Sequence, residues 1–524
     1  MPFTLPFRAR PIRLVALFLV LAGFAATPAA AKAVNTTVDV DRPVVLAGET
    51  RPVYVLVRFT VPEAVPSASA ERPPLNIALV LDRSGSMEAA GKIAYLKKAA
   101  AAVVGRMSQR DRLAVVEYDD RITVAWPSAP VEAPGLVIKV IEGLFPRGTT
   151  NLAGGMLAGI AEVRNSLADG AVNRVLLLSD GLANEGITHP TEIRKLAGQS
   201  KETGVPVTTL GLGLDYNEDL MQDIAQHSGG NYHYVENPAQ MAGIFQRELS
   251  TLFQMAARGV DLRFEVDAAV SGIRVFGYPV RTEGRATVIQ FPDFHAGEAR
   301  SVVLRLDVAA HGAGPRRLGT LRFTYEDVAT GERQVVSEPI VVRVSDDIQE
   351  ARAATNSEAV VEAALVEAET RHEESLRLLD SGNYAEAETM LRDLTSDLTA
   401  QNDGLADVRI AKKIEALNIE VEQASAVASA PQAAHNKAFM KNSKQRLYQA
   451  MQGKRGLYML QSGDSGHEVE NLQRALAAAG AYSGPVDGKF SPELEGALRA
   501  YQSRESLDMD GIAGPATLRA LGLY

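Results

Sequence analysis

Asp82-Arg83-Ser84-Gly85-Ser86 directly follows the apolar run 76–81. Where a buried strand runs out into a loop, this alternation turns Asp82, Ser84 and Ser86 toward one point. Three oxygen-bearing side chains so placed suit a hard divalent cation. Mg²⁺ takes six oxygens in near-octahedral geometry and keeps several waters. Neutral hydroxyls leave most of the ion's charge uncompensated, so such a site seeks a carboxylate from elsewhere. The phrase alone carries little, since Ser and Asp are common in turns, and Asp82 also suits an N-cap for a helix over 87–104. Two later segments add to it. Gly148-Thr149-Thr150-Asn151 offers another hydroxyl after a Pro-Arg-Gly turn, and the apolar run 175–178 ends in Ser179-Asp180-Gly181.

The elements that must hold these residues alternate. Strands are expected over 77–81, 113–118, 175–178, 207–212 and 232–235, with helices over 89–107, 152–166, 191–202, 217–226 and 239–253. That order predicts a doubly wound, mostly parallel sheet covered on both faces. Residues 122–125 read as a short antiparallel edge strand ended by Trp126-Pro127. In open α/β sheets ligands bind outside the carboxyl ends of the strands, where all three segments fall.

With these phrases in order, and with Ile224-Ala225-x-x-Ser228-Gly229-Gly230, residues 75–253 resemble the von Willebrand factor A family. The family's metal-ion-dependent adhesion site is written Asp-x-Ser-x-Ser, then Thr, then Asp. The resemblance implies a Rossmann-like α/β domain. It implies Ser84, Ser86 and Thr150 as direct ligands, with Asp82 and Asp180 holding the ion directly or through water. The implied ion is Mg²⁺, with Mn²⁺ or Ca²⁺ as alternatives, and the implied partner is a protein that supplies an acidic residue.

The remaining chain divides by pattern. Residues 1–31 read as a secretory signal: Arg8, Arg10 and Arg13, an apolar stretch over 14–26, then Ala29-Ala30-Ala31. Thirteen apolar residues are too few to span a bilayer, and no later segment is long and apolar enough. Residues 62–74 form a Pro/Ala/Ser/Glu linker. Period-two alternation over 34–61 and again over 259–345 predicts a β-sandwich. The α/β domain is then inserted in it or docks on it. Residues 347–429 have helical period, and Leu378-Leu379-x-x-Gly382-Asn383-Tyr384-x-x-Ala387 is similar to one tetratricopeptide-type hairpin; a single repeat buries no superhelical core, which favours a helical spacer. Residues 430–459 read as a basic linker carrying Lys437, Lys441, Lys444, Arg446, Lys454 and Arg455, either a solvated face or an attraction for acidic wall polymers.

Residues 460–524 hold a second set of phrases: Val469-x-x-Leu472-Gln473-x-x-Leu476, Val486-Asp487-Gly488, Ala497-Leu498-x-x-Tyr501-Gln502 and Asp510-Gly511. They resemble the small three-helix peptidoglycan-binding domain of bacterial wall hydrolases, including its internal duplication. The resemblance implies wall binding. Ser491 stands where that family has Gly before Pro. Asp487 and Asp510 read as turn formers.

Composition narrows the function. The chain has 524 residues, 46 % apolar and 23 % charged, with a net charge of −10. Three to four domains are expected, and an acidic balance argues against nucleic acid as partner. There is no cysteine, which removes thiol nucleophiles, thiolate zinc sites and a lipid-anchoring Cys. The eight His are scattered, and neither a phosphate-binding Gly-x-x-x-x-Gly-Lys loop nor Gly-x-Ser-x-Gly occurs. No catalytic residue is assigned. The sequence reads as an exported binding or adhesion protein of the bacterial periplasm and envelope, anchored to peptidoglycan through 460–524. An adaptor that recruits a wall enzyme or envelope complex is the alternative, and a metal-dependent wall hydrolase ranks below both.

Overall fold

A computed structural model describes residues 32–523 except 63–71, 169, 239–240, 432, 452–459, 461–466, 506, 508–510, 512 and 514. The expected signal at 1–31, most of the 62–74 linker, the far part of the basic segment and Asp510 lie outside the described residues.

The chain begins with β1 (Asn35–Val40), β2 (Val44–Leu46) and β3 (Val53–Thr60), then enters the α/β domain. That domain runs β4 (Leu75–Asp82), a 3₁₀ stretch (Gly85–Gly91), α1 (Lys92–Val104), β5 (Arg112–Tyr118), β6 (Ile122–Pro130), α2 (Pro134–Glu142), α3 (Leu152–Arg164), β7 (Val172–Ser179), α4 (Pro190–Glu202), β8 (Val207–Leu212), α5 (Glu218–Ser228), β9 (Tyr232–Val235) and α6 (Met241–Phe253). Its sheet has the order β6-β5-β4-β7-β8-β9. Only β6 runs antiparallel to its neighbour. Side-chain alternation along β4 feeds two cores. Ile77, Leu79 and Leu81 pack with Leu96, Val137 and Phe245, whereas Ala78 and Val80 pack with Met156, Ile193 and Ile224. Helices therefore cover both faces.

The chain then returns to β strands: β10 (Met255–Val266), β11 (Val270–Val275), β12 (Val280–Glu283), β13 (Ala286–Gln290), β14 (Phe294–His295), β15 (Ala299–Val308), β16 (Gly314–Asp327) and β17 (Arg333–Ser345). One sheet reads β1-β3-β15-β11 and the other β12-β13-β10-β16-β17-β2. Strands from before and after the α/β domain thus share both sheets, and that domain is an insertion in the sandwich. Phe59, Phe294 and Phe323 stack in the core between the sheets.

Among the described residues eight helices follow: α7 (Ile348–Ala353), α8 (Ser357–Asp380), α9 (Tyr384–Leu405), α10 (Val408–Ser429), α11 (Ala434–Met451), α12 (His467–Ala478), α13 (Pro492–Arg504) and a short α14 (Pro515–Ala520). The hairpin between α8 and α9 turns at Gly382, φ +81°. The helices expected as a spacer over 347–429 are present, and they also pack against the sandwich. Ala359 and Val366 of α8 pack on Leu56, Phe276 and Val303 of the sandwich, and the Tyr54 hydroxyl donates to Glu367.

The basic linker is corrected. Most of its described length is α11, whose Met440, Leu447 and Tyr448 are buried. Lys441 and Lys444 are not presented to wall polymers, because both are consumed inside the fold. Lys441 lies over the Tyr216 ring at 4.1 Å and donates to the Tyr216 carbonyl at 3.0 Å. Lys444 reaches Glu218 and Asp219, each at 3.1 Å, and Asp380. Gln445 accepts from the Tyr234 N–H at 2.9 Å, closing part of the β9 edge. Gly277, φ +78°, lets the end of α11 approach the sandwich, since a Cβ there would overlap the Met451 carbonyl oxygen.

Smaller departures have local causes. The edge strand does not stop at Trp126-Pro127 but runs to Pro130, with register shifts against β5; an edge strand tolerates a missing N–H. Pro134 at the first helical turn opens α2, whose buried face is only Val137 and Ile141, too short a pattern to stand out. The first helix starts at Lys92 rather than near 89, because Ala90 and Gly91 take positive φ.

Two outcomes follow. Lys444→Ala leaves Glu218, Asp219 and Asp380 facing one another, and should lower stability by about 2 kcal/mol, since the cluster is partly solvated; urea midpoints at constant m will measure it. Glu248 on α6, 3 % exposed, accepts from Thr208 Oγ1 at 2.6 Å and lies 3.0 Å from His233 Nε2. Burial pushes its carboxyl up, but the His233 contact and Arg174 outweigh that and hold it well below the usual range. A depressed carboxylate contributes stability above its unfolded value, about 4.3, which is lost as pH falls through the folded value. Hydrogen exchange should therefore show α6 losing protection below about pH 4 in the wild type, with Glu248→Gln removing the acid dependence.

Candidate functional site

The rim of the α/β sheet is built by backbone bonds before any side chain acts. The Arg83 N–H donates to the Tyr118 carbonyl at 2.9 Å, tying the end of β4 to the end of β5. Gly85 N–H donates to Gly148 O at 3.1 Å, and Arg147 N–H to Arg83 O at 2.8 Å. The loop carrying Thr150 is thereby laid along the loop carrying Ser84 and Ser86. Thr150 is fixed from its other side, where its N–H donates to Asn184 Oδ1 at 2.8 Å.

Within this frame four of the five expected residues join one hydrogen-bonded chain. Asp82, fully buried, accepts the Ser84 N–H on Oδ1 at 2.8 Å and the Ser179 hydroxyl on Oδ2 at 2.8 Å. The Ser84 and Ser86 hydroxyls lie 3.0 Å apart, and Ser86 Oγ donates to Asp180 Oδ1 at 2.6 Å. Thr150 completes the set by position. A Cβ on Gly181 would sit 3.4 Å from Thr150 Oγ1 and 3.6 Å from Ser86 Oγ, so glycine there keeps the space between the two hydroxyls free of a side chain. Asp82 does not cap a helix; it caps the turn into the 3₁₀ stretch.

Electrostatically the rim is poised for positive charge. Burial pushes the Asp82 carboxyl up to about 6, with the Asp180 charge adding to the rise. Asp180 is also fully buried, and its Oδ2 receives the Lys92 ammonium at 2.6 Å. Among the described residues no three His, Asp or Glu side chains form a metal-binding group. What converges here is two carboxylates and three hydroxyls, a set that suits a small hard cation retaining some water, not a soft or zinc-like centre. Ser84, Ser86, Thr150, Asp82 and Asp180 are the residues that would hold it. It would supply an electrophilic point for an external oxygen ligand.

Several positioning residues carry no signature in the sequence. Asp119 is buried between Arg83 (2.9 Å) and Arg147 (2.6 Å), pinning the two rim loops. It follows the second parallel strand as Asp82 follows the first, the one hint available from pattern. Phe145 is 55 % exposed, with the Arg83 and Arg147 guanidinia each 5.8 Å from its ring. Leu182, 56 % exposed, stands two residues beyond Asp180. The rim therefore presents apolar surface beside the acidic chain.

In the C-terminal module, Gln473 and Gln502 are buried. Gln473 accepts the Gly488 N–H and donates to Asp487 Oδ1, while Gln502 accepts the Gly511 N–H and donates to Thr517. Gln473 thus clamps the Asp487-Gly488 turn and Gln502 holds Gly511 in the same way, so the duplication is physical as well as textual. Asp487 acts in its turn, accepting the Lys489 N–H at 3.0 Å. Ser491 caps α13 by accepting the Leu494 N–H at 3.2 Å.

These features define an α/β domain of the von Willebrand factor type A class and a small, internally duplicated helical module at 460–524. Residues 76–247 match the sequence model of the von Willebrand factor type A domain, and 465–521 match that of the putative peptidoglycan binding domain. Similar proteins include sll0103 of Synechocystis sp., 26 % identical over 53 % of this chain and 68 % of that protein. Another is YfbK of Escherichia coli, 28 % identical over 41 % of this chain. The match spans only 37 % of YfbK's own length. The fold is shared with a von Willebrand factor type A protein from Catenulispora acidiphila, TM-score 0.58 at 16 % identity, over 72 % of this chain and 90 % of that one. Among the described residues no helix is long and apolar enough to cross a membrane.

In chelator, Asp82→Ala should cost about 1–3 kcal/mol, because the Ser84 N–H and Ser179 hydroxyl lose their buried acceptor. Ser86→Ala, on an exposed side chain, removes one donor from Asp180, which keeps its Lys92 contact, and should cost about 1 kcal/mol or less. Urea titration of both variants in EDTA checks the contrast.

Proposed function

We propose that this protein is an exported, wall-anchored binding protein whose α/β domain captures a partner's carboxylate through a divalent cation, most readily Mg²⁺, held by Ser84, Ser86, Thr150, Asp82 and Asp180. The observation that supports this reading is the chain from Asp82 through Ser84 and Ser86 to Asp180 at the carboxyl ends of two adjacent strands, β4 and β7. Hydroxyl-rich coordination leaves the cation short of negative charge, and an acidic side chain from outside supplies it. The exposed Phe145 and Leu182 beside it favour a partner whose acid is flanked by apolar residues. Residues 460–524 place the molecule on peptidoglycan, in the periplasmic envelope.

The same chemistry argues for binding over hydrolysis. Sites that activate water for phosphoryl transfer hold Mg²⁺ with carboxylates and substrate phosphates, and this rim offers mostly neutral oxygens.

Mg²⁺ or Mn²⁺ should raise the melting temperature of the wild type, by the equivalent of about 2.7 kcal/mol at a hundredfold excess over Kd. Asp180→Ala should lose that response. In an envelope extract the wild type should retain a partner that EDTA releases and that Thr150→Ala fails to capture. A chain ending at 451 should keep this capture but lose co-sedimentation with sacculi. Turnover of peptidoglycan by the whole protein, abolished in Asp82→Ala, would refute the binding reading.

A further inference from the structure

Lys92 occupies a place that elementary electrostatics disfavours. It is the first residue of α1, whose first turn carries no acid, and a cation at a helix N-terminus opposes the helix dipole. Its side chain is nonetheless only 13 % exposed. It runs beneath the end of β8, where a Cβ on Gly213 would lie 3.6 Å from Nζ and 3.7 Å from Cε. It ends on Asp180 Oδ2 at 2.6 Å. Asp180 is thus divided: Oδ1 belongs to the hydroxyl chain through Ser86, and Oδ2 belongs to Lys92.

Nothing about packing demands an ammonium here. An apolar side chain of equal length would fill the same space without opposing the dipole. The ammonium does change the charge of the rim. Asp82 and Asp180 bring two carboxylates, Asp119 and Glu117 are matched by Arg83 and Arg147, and Lys92 cancels one of the two that remain.

We propose that Lys92 is a resident counter-charge that limits the site's own affinity for the cation. By occupying one oxygen of Asp180 it leaves a bound ion under-neutralised, and so makes tight binding depend on the carboxylate that a partner adds. This rests on the metal reading above and deepens it: without Lys92 the rim would bind its ion tightly and have less use for an external acid. Lys92 is here a positioning and charge-setting residue, since it acts through Asp180 and not on the ion.

The test titrates the full chain with MnCl₂ by calorimetry, in wild type, Lys92→Met and Lys92→Arg, with acetate as a model carboxylate in a second series. Lys92→Met should bind Mn²⁺ about tenfold tighter or more, the effect of removing one charge a few ångström from a divalent ion at intermediate dielectric. Its gain on adding acetate should shrink, and Lys92→Arg should track the wild type. Equal or weaker binding by Lys92→Met, with an unchanged melting temperature in EDTA, overturns the proposal while leaving the metal site standing. If Lys92→Met melts early, Lys92→Gln, which keeps a hydrogen bond to Asp180 without the charge, must show the tighter binding instead, and its failure to do so is equally fatal. If neither the wild type nor any variant binds Mn²⁺, the metal reading itself falls, which is a different result from equal affinities.

Discussion

Two fully buried carboxylates at one sheet rim are the constraint on which the rest depends. Asp82 and Asp180 sit at the ends of adjacent parallel strands, β4 and β7, where water is largely excluded and like charges raise each other's cost. The fold offsets that cost locally. Ser84 and Ser179 donate to Asp82, Ser86 donates to Asp180, and Lys92 covers the oxygen that Ser86 does not reach. A site that still holds a net negative charge after these bonds is one that attracts a cation. The neutral hydroxyls decide that such a cation keeps much of its own charge.

That rim is not isolated from the rest of the molecule. Residues 213–217 between β8 and α5 approach Lys92 at Gly213 and, with Glu218 at the start of α5, meet α11 at Tyr216. One short loop therefore has Lys92 of the rim on one side and the helical region on the other. α8 fastens the same helical region to the sandwich through Leu56, Phe276 and Val303. The α/β domain is inserted in the sandwich by its two chain connections and clasped by α11 as well. The lysines of α11, buried among carboxylates, are the polar part of that clasp.

Much of the site was legible because its residue types and their places at strand ends are local properties. Asp82, Ser84, Ser86, Thr150 and Asp180 stand in the expected order, and the structure gathers them at one rim. Asp119 and Asn184 were not legible, because each acts by bridging two loops distant in sequence. Lys92 was hidden as an ordinary first-turn lysine. The basic stretch around Lys441 and Lys444 misled for the opposite reason: charge composition reads as solvated surface, and only the acidic end of α5, more than two hundred residues earlier, makes it an interior contact.

The sequence by itself determined the alternation of strand and helix, the oxygen donors at the ends of β4 and β7, the period-two strands on either side, and the duplicated phrases of the C-terminal module. These follow from hydrophobic periodicity and turn chemistry, which act over a few residues. Only the tertiary structure decided that the α/β domain is an insertion in the sandwich and does not merely dock on it, that α11 is a clasp, and that Lys92 shares Asp180 with the hydroxyl chain. Those outcomes depend on which buried charges and strand edges find one another across long separations. Pairing of that kind leaves no periodic trace, because it is fixed by the requirement that every buried polar group be satisfied somewhere.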